Sequence, residues 1–478
     1  MKRQSASWLW GLGLTAVLLL GPIVYALAIH RRPQANPWDH VPQRRAHVGH
    51  EHLIEGPFAS GQDVTRQCLR CHEDAARQVM ATTHWTWEAK PVKVAGRDEP
   101  VALGKKSAVN NFCIGIQSNW TKCTSCHAGY GWSDAEFDFL DEHHVDCLVC
   151  HDQTGGYVKG AAGEVAKGVD LVAVAQSVGV PKRENCGGCH FRGGGGDAVK
   201  HGDLDTSLYF PSANLDVHMG KFDFLCIDCH RTDHHVIGGR SMTVSLDAAG
   251  QIACTDCHRG RVHDDGRIES HLSAVACQTC HIPHAATREA TKMHWDWSAA
   301  GKDEPEDPHT YLKIKGRFVY ELNIVPEYYW YNGTSDRYLL GDTMDPHTVT
   351  SLNRPRGSVD DPTAKIFPFK VHRGKQIYDQ VHNYLIQPKT AGKGGYWEDF
   401  DWDQAARLGM ETVGLDYSGQ FGFAETEMYW PITHLVVPKE QSLQCAACHG
   451  EQGRMNWQAL GYPGDPIKWG ARSSEPRP

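Results

Sequence analysis

Hydrophobic residues form one long run near the start of the chain. Trp8 to Ala28 is 21 largely apolar residues, preceded by the basic Met1–Gln4. A helix of that length spans a bilayer. Ala26-Leu27-Ala28 resembles a small-x-small cleavage site, so a removed export signal is the rival reading. The run is long for such a signal, and residues 1–30 are therefore expected to stay as a membrane anchor. Arg31 and Arg32 follow it and weaken any orientation argument from basic flanks. Residues 31–60, rich in proline and histidine, read as a linker that becomes ordered at its end. The stretch of about 291–440 is rich in Trp, Tyr and Pro, and Tyr328-Tyr329-Trp330-Tyr331 is its most aromatic part. It reads as a wrapping layer, or as the source of a loop that closes a pocket. The candidate loop is Ala364–Lys375, where lysines and Arg373 alternate with Phe and Pro, a pattern of partial burial. The glycine run Gly193–Gly196 lacks the Gly-x-Gly-x-x-Gly spacing and reads as a flexible loop.

Between these apolar stretches the chain is punctuated by cysteine. Of 17 cysteines, 16 fall in Cys-x-x-Cys-His motifs. The pairs are Cys68/Cys71, Cys123/Cys126, Cys147/Cys150, Cys186/Cys189, Cys226/Cys229, Cys254/Cys257, Cys277/Cys280 and Cys445/Cys448. The histidines that follow are His72, His127, His151, His190, His230, His258, His281 and His449. A zinc or redox reading does not explain a histidine after every pair. Haem c attachment does: the two thiols add to the vinyl groups and the histidine binds iron. Eight covalently attached haems are expected. First cysteines are spaced by 55, 24, 39, 40, 28 and 23 residues, and then by 168. Such spacing brings neighbouring haems into electron-hopping range. It also divides the chain into a seven-haem domain (61–290), a haem-free wrapping segment (291–440) and a last-haem segment (441–478).

The porphyrins would supply much of the core of this 478-residue chain. The expected fold class is mainly α and coil, wrapped around the haems, with very little sheet; 48 glycines and 24 prolines suit a loop-rich chain. The net charge of −9, to which haem propionates add, leaves no basic stripe for nucleic acid. An anionic substrate would need a local positive pocket. Haem c is attached outside the cytoplasm, so the bulk of the chain is expected in the periplasm or an equivalent space.

After the eight motif histidines, 21 of 29 remain, which makes bis-histidine ligation the default. The better distal candidates are His50, His84, His218, His235, His271, His294 and His434; His47, His144, His201, His263 and His284 are reserves. Cys113 is the one cysteine outside a motif. It is either a buried small hydrophobe or a reactive thiol.

The stretches NNFCIGIQSNWTKCTSCHAGYGW, VDCLVCHDQTGGY, CGGCHFRGGGGDAVKHGDLD and KIFPFKVHRGKQIYD resemble the octahaem tetrathionate reductase family of c-type cytochromes. The likeness runs from about residue 45 to 450. It implies that the second haem, on His127, is the active one, with Lys200 in place of a distal histidine. It further implies site roles for Asp197, three residues before that lysine, for Cys113, and for Lys365 and Lys370. A lysine amine binds iron only when deprotonated, and it is more displaceable than imidazole. The implied activity is two-electron cleavage of tetrathionate to two thiosulfates. The implied partners are a redox donor protein or quinol-linked membrane cytochrome and a small inorganic anion. Two alternatives stay open: reduction of nitrite or hydroxylamine, against which no Cys-x-x-Cys-Lys motif is present, and an electron conduit with every haem saturated.

Overall fold

A computed structural model describes residues 15–21, 36–44, 46–94, 96–112, 115–244 and 250–472. Residues 15–21 are helical. The rest of the Trp8–Ala28 run lies outside the described residues, and no described helix is long and apolar enough to cross a membrane.

The chain divides into two compact units, 1–43 with 253–272 and 44–252 with 273–478. The first contains the sixth motif. There the Cys257 thiol lies 3.7 Å from the His40 carbonyl, and His263 Nδ1 lies 3.1 Å from Glu269. The second unit contains the other seven motifs.

The described helices are short, as expected of a chain that packs against cofactors. Gly61–Leu69 opens with a capping box in which Ser60 accepts from Asp63 N and the Asp63 carboxylate accepts from Ser60 N. The longest described helix, Trp402–Val413, is capped by the Asp401 carboxylate and stopped by Gly414 at φ 71°. It buries Ala405, Ala406, Gly409 and Met410 along one stripe.

Strand is concentrated between Thr291 and Pro431. Apart from the two-residue pair β1 (Thr232–Asp233) and β2 (Val236–Ile237), all named strands join one sheet. They are β3 (Thr291–Asp296), β4 (Tyr311–Leu312), β5 (Gly316–Glu321), β6 (Glu327–Tyr331), β7 (Thr350–Ser351), β8 (Lys365–Asp379), β9 (Tyr384–Leu385) and β10 (Phe421–Pro431). The central path runs β4-β5-β3-β8-β10-β7, with β6 and β9 also on β8.

This corrects one expectation. The Ala364–Lys375 stretch is not a pocket-closing loop but the start of β8, the sheet's central strand. Its lysines obscure a two-residue alternation that is buried on both faces. Phe369 and Val371 pack with Tyr331 and Tyr429 on one face. The other face carries Lys370 and His372, both fully buried. The glycine run forms tight turns. Gly194, at φ 81°, lies where a Cβ would sit 3.3 Å from Phe112 and 3.1 Å from Val199, so the turn closes directly on the core.

Candidate functional site

Each motif forms a helical turn or part of one. His72, His151, His230, His258 and His449 each donate a backbone N–H to the first cysteine's carbonyl, at 2.8–3.2 Å. That turn gathers two thiols and one imidazole on a short segment, which is what a porphyrin edge and its iron require. Motif turns also touch one another. Thiols that lie beside one another are Cys68 and Cys147, Cys126 and Cys189, and Cys186 and Cys226. The fourth motif therefore adjoins both the second and the fifth. The eighth motif adjoins the seventh, where Leu443 N donates to Cys280 O at 2.9 Å.

Cys71, Cys126, Cys229, Cys254 and Cys445 are exposed, whereas the other eleven are half-buried by polypeptide. Cys71 and Cys229 each stand at the end of a short turn. Cys71 follows the Gly61–Leu69 helix and donates its N–H back to Cys68 O at 3.1 Å. Cys229 closes the four-residue helix Cys226–Cys229, and its carbonyl accepts from Arg231 N at 2.9 Å as the chain turns away. Each is held there through its backbone. Their assignment as haem-attaching thiols rests on the motif alone, and an outward thiol is compatible with it, since a vinyl group must reach the sulfur.

Imidazole pairs test whether the chain fits haem. Two imidazoles on opposite faces of one metal, each bonded at about 2 Å, have ring centres roughly 6 Å apart. Four pairs meet that spacing: His50–His72 at 6.2 Å, His84–His190 at 6.1 Å, His151–His235 at 6.5 Å and His230–His434 at 6.3 Å. Each joins a motif histidine to a distal candidate. Buried Asp203 aims His434, accepting from its Nδ1 at 3.1 Å and from the Thr433 and His434 backbones at 2.7 and 3.0 Å. The other distal candidates are placed differently. His218 sits in the Val217–Lys221 turn, and His271 Nδ1 meets Arg267 O at 2.7 Å. His294 lies in β3, level with Arg373 of β8. Of the reserves, His47 stacks on His50 at 5.4 Å and His201 meets Trp430 edge-on at 4.8 Å.

His127 sits in an aromatic nest, with Trp85 and Trp132 ring centres both 4.8 Å away. Burial lowers its pKa to about 4. Lys159 reaches behind it, donating to the Gly129 carbonyl at 2.9 Å and the His127 carbonyl at 2.5 Å. Asp146 neutralises that amine at 3.0 Å and also accepts from the Tyr130 and Tyr157 hydroxyls.

The resemblance-derived residues converge in part. Lys370 Nζ donates to the carbonyls of Val199 and Lys200 at 3.0 and 3.1 Å, and to Thr291 Oγ1 at 2.5 Å. Trp430 stands opposite Lys370 in the β8–β10 register, and the Lys200 amine lies 4.7 Å above the Trp430 ring centre. Asp197 is occupied at the turn itself, accepting from Thr206 N at 3.0 Å and Thr206 Oγ1 at 2.5 Å. Lys365 lies an odd number of residues from Lys370 in an unbroken register, hence on the opposite face of β8. Cys113 and Ile114 lie outside the described residues. The residues just before them run along the Lys370 face. Gln376 donates to Asn110 O at 3.0 Å, Asn111 donates to His372 O at 2.9 Å, and the Phe112 ring stacks on His372 at 3.9 Å.

Sequence reasoning missed several members of this group. His372 is fully buried, and neither ring nitrogen has a hydrogen-bond partner. Lys292 is 3% exposed, its amine 3.5 and 3.7 Å from the Trp295 and Phe318 ring centres. The available signal was the strand alternation, which puts His372 beside Lys370. Burial pushes Lys370 well below the usual lysine range and lowers Lys292 to about 6, the latter helped by Lys315. A lysine neutral when folded and charged when unfolded releases a proton on folding. Its burial penalty is full below pH 6 and vanishes above the unfolded pKa of about 10.4, so stability rises with pH across that window. Lys292→Met should remove this rise and raise the melting temperature at pH 7, as a pH series of thermal melts would show.

The motif turns, the imidazole pairs and the contacts between motifs define a multihaem c-type cytochrome. The comparisons agree. Residues 292–452 match the family model described as bacterial cytochrome c. A solved octahaem cytochrome c from Shewanella oneidensis is 51% identical, with TM-score 0.83, covering 90% of this chain and 99% of that one. An uncharacterized protein from Archaeoglobus fulgidus is 25% identical over 246 residues, 41% of this chain and 82% of its own length. The chain belongs to the octahaem cytochromes c. It is an electron-transfer protein that carries covalent haem c.

Proposed function

We propose that this chain is an extracytoplasmic reductase with eight haems, which delivers electrons to a small anion at the His127 haem, with tetrathionate the favoured substrate. The observation that carries this reading is the convergence of Lys200 and Lys370 on one aromatic wall, with the Lys200 charge acting on His190 of the fourth motif, which adjoins the second. When bound, the haems relay electrons one at a time, and the His127 haem offers the iron at which the anion is reduced.

The chain's own residues do the rest. The four imidazole pairs would each hold one haem iron between two histidines, which would reserve those haems for electron transfer. Lys200 would hold the His127 haem from the other side through a neutral amine, which an anion could displace; once protonated, that amine would pair with the anion's charge. Lys370 fixes the Lys200 backbone, and Thr291 passes the bond on, donating to Ala198 O at 2.6 Å. The overall charge is negative, so the protonated Lys200 amine would be the local positive charge that holds a dianion. Lys365 assists from the other face of β8. Cys113 follows Phe112 in sequence and would supply a thiol, and sulfur nucleophiles exchange at sulfur–sulfur bonds. The reaction takes two electrons, breaks the central sulfur–sulfur bond and releases two thiosulfates. The donor is a redox protein or membrane cytochrome, and residues 1–30 tether the chain to the membrane.

Intact mass spectrometry of the mature protein tests the frame of this reading. Eight haem additions on a chain that retains Trp8–Ala28 are expected. Seven or fewer additions would remove the haem count, and a chain beginning at Ile29 would remove the anchor. Turnover of tetrathionate, nitrite and hydroxylamine by the same preparation tests the substrate, with tetrathionate expected to be fastest.

A further inference from the structure

The histidine of the last motif is held differently from those of the third and fifth. His151 and His230 each direct Nδ1 to a backbone carbonyl, Gly179 O and Gly238 O, at 2.8 Å. His449 directs Nδ1 to a carboxylate, Asp465 Oδ1, at 2.7 Å. Both side chains are largely shielded, at 15% and 14% exposed. The carboxylate is itself fixed. Its Oδ2 accepts from Gly450 N at 2.7 Å and its Oδ1 from Ile467 N at 3.0 Å, so the loop after the motif and the turn Pro466–Trp469 both hold it. Trp457 stacks on the imidazole at 5.3 Å and 18°, leaving the ring little freedom to turn away.

We infer that Asp465 is a positioning and tuning residue that makes the His449 haem more reducing than those whose proximal histidines rest on carbonyls. The physical reason is charge. An imidazole N–H donating to a full negative charge returns more electron density to its other nitrogen than one donating to a neutral carbonyl. A more electron-rich axial ligand stabilises the oxidised iron, and the midpoint potential falls. The chemistry is one-electron exchange at that haem, with a donor on one side and the haem of the adjoining seventh motif on the other. An electron arriving at His449 therefore runs downhill into the rest of the protein. The inference holds whichever anion is finally reduced.

The test is a redox titration of the haem-loaded full chain, followed optically and by electron paramagnetic resonance. Asp465→Asn keeps the size and an oxygen acceptor but removes the charge. One haem should become easier to reduce by tenfold or more, about 59 mV or more for one electron, while the other potentials and the haem count stay unchanged. Asp465→Glu, which restores a carboxylate, should keep that haem near its original value. An Asn variant with no shift, or a Glu variant shifted as far as the Asn one, would overturn the inference. So would loss of one haem in the Asn variant, which would assign Asp465 to attachment instead.

Discussion

Lys200→His should abolish most turnover while leaving every haem attached. Imidazole is neutral near pH 7 and binds iron more firmly than an amine, so the His127 haem would join the bis-histidine set and resist the substrate. A fall of at least 100-fold in kcat is expected, about 2.7 kcal/mol of lost transition-state stabilisation. Lys200→Ala should act differently. It opens the position, and a water-bound or high-spin signal should replace one low-spin signal. The site tolerates the change, because the amine packs over the Trp430 ring rather than filling a closed core position. Magnetic resonance on both variants separates the two outcomes. An Ala variant with an unchanged spectrum and unchanged turnover would return Lys200 to the role of an ordinary aromatic-stacked lysine.

Lys370→Met has the second largest expected effect. The substitution preserves length and apolar stem but removes the amine that meets Val199 O, Lys200 O and Thr291 Oγ1. Leaving buried acceptors unpaired costs about 1–3 kcal/mol each. Relief of the buried amine, which burial already drives towards its neutral form, offsets part of that. A net loss of roughly 1–3 kcal/mol is expected. The functional loss should be larger in KM than in kcat, since Lys200 would keep its chemistry but lose its fixed backbone. Lys365→Met, from the opposite face of β8, should change KM several-fold less. Thermal melts with steady-state kinetics on both variants decide this, and equal effects would show that the face of the strand does not matter.

The contrast between these two lysines marks where the sequence was readable. The haem motifs were legible because attachment is local: two thiols and an imidazole lie within five residues, and a helical turn brings them together. The mainly helical and coil class followed from that. How far polypeptide covers each thiol was not legible, because it depends on which segment returns over the turn; Cys147 gains such a neighbour, and Cys71 and Cys229 stay exposed. The strand character of Lys365–Asp379 was hidden because the strand is buried on both faces and carries lysines within its apolar alternation. Once it is a strand, parity separates Lys365 from Lys370 and places His372 beside Lys370. The imidazole pairs show the other limit. His434 reaches His230 across 204 positions, and Asp203 aims it; both depend on the tertiary fold. Asp465 was invisible for the same reason: nothing in the chain distinguishes it from any acidic residue in a terminal loop until it meets His449.

The most direct test of the central claim is electron paramagnetic resonance of the oxidised, haem-loaded protein, titrated with tetrathionate. One haem signal should change on binding, that signal should be the one missing from the Lys200→Ala spectrum, and the signals of the paired-histidine haems should stay constant. A titration in which no signal responds, with every haem low-spin and saturated, would contradict the account and leave an electron conduit in its place.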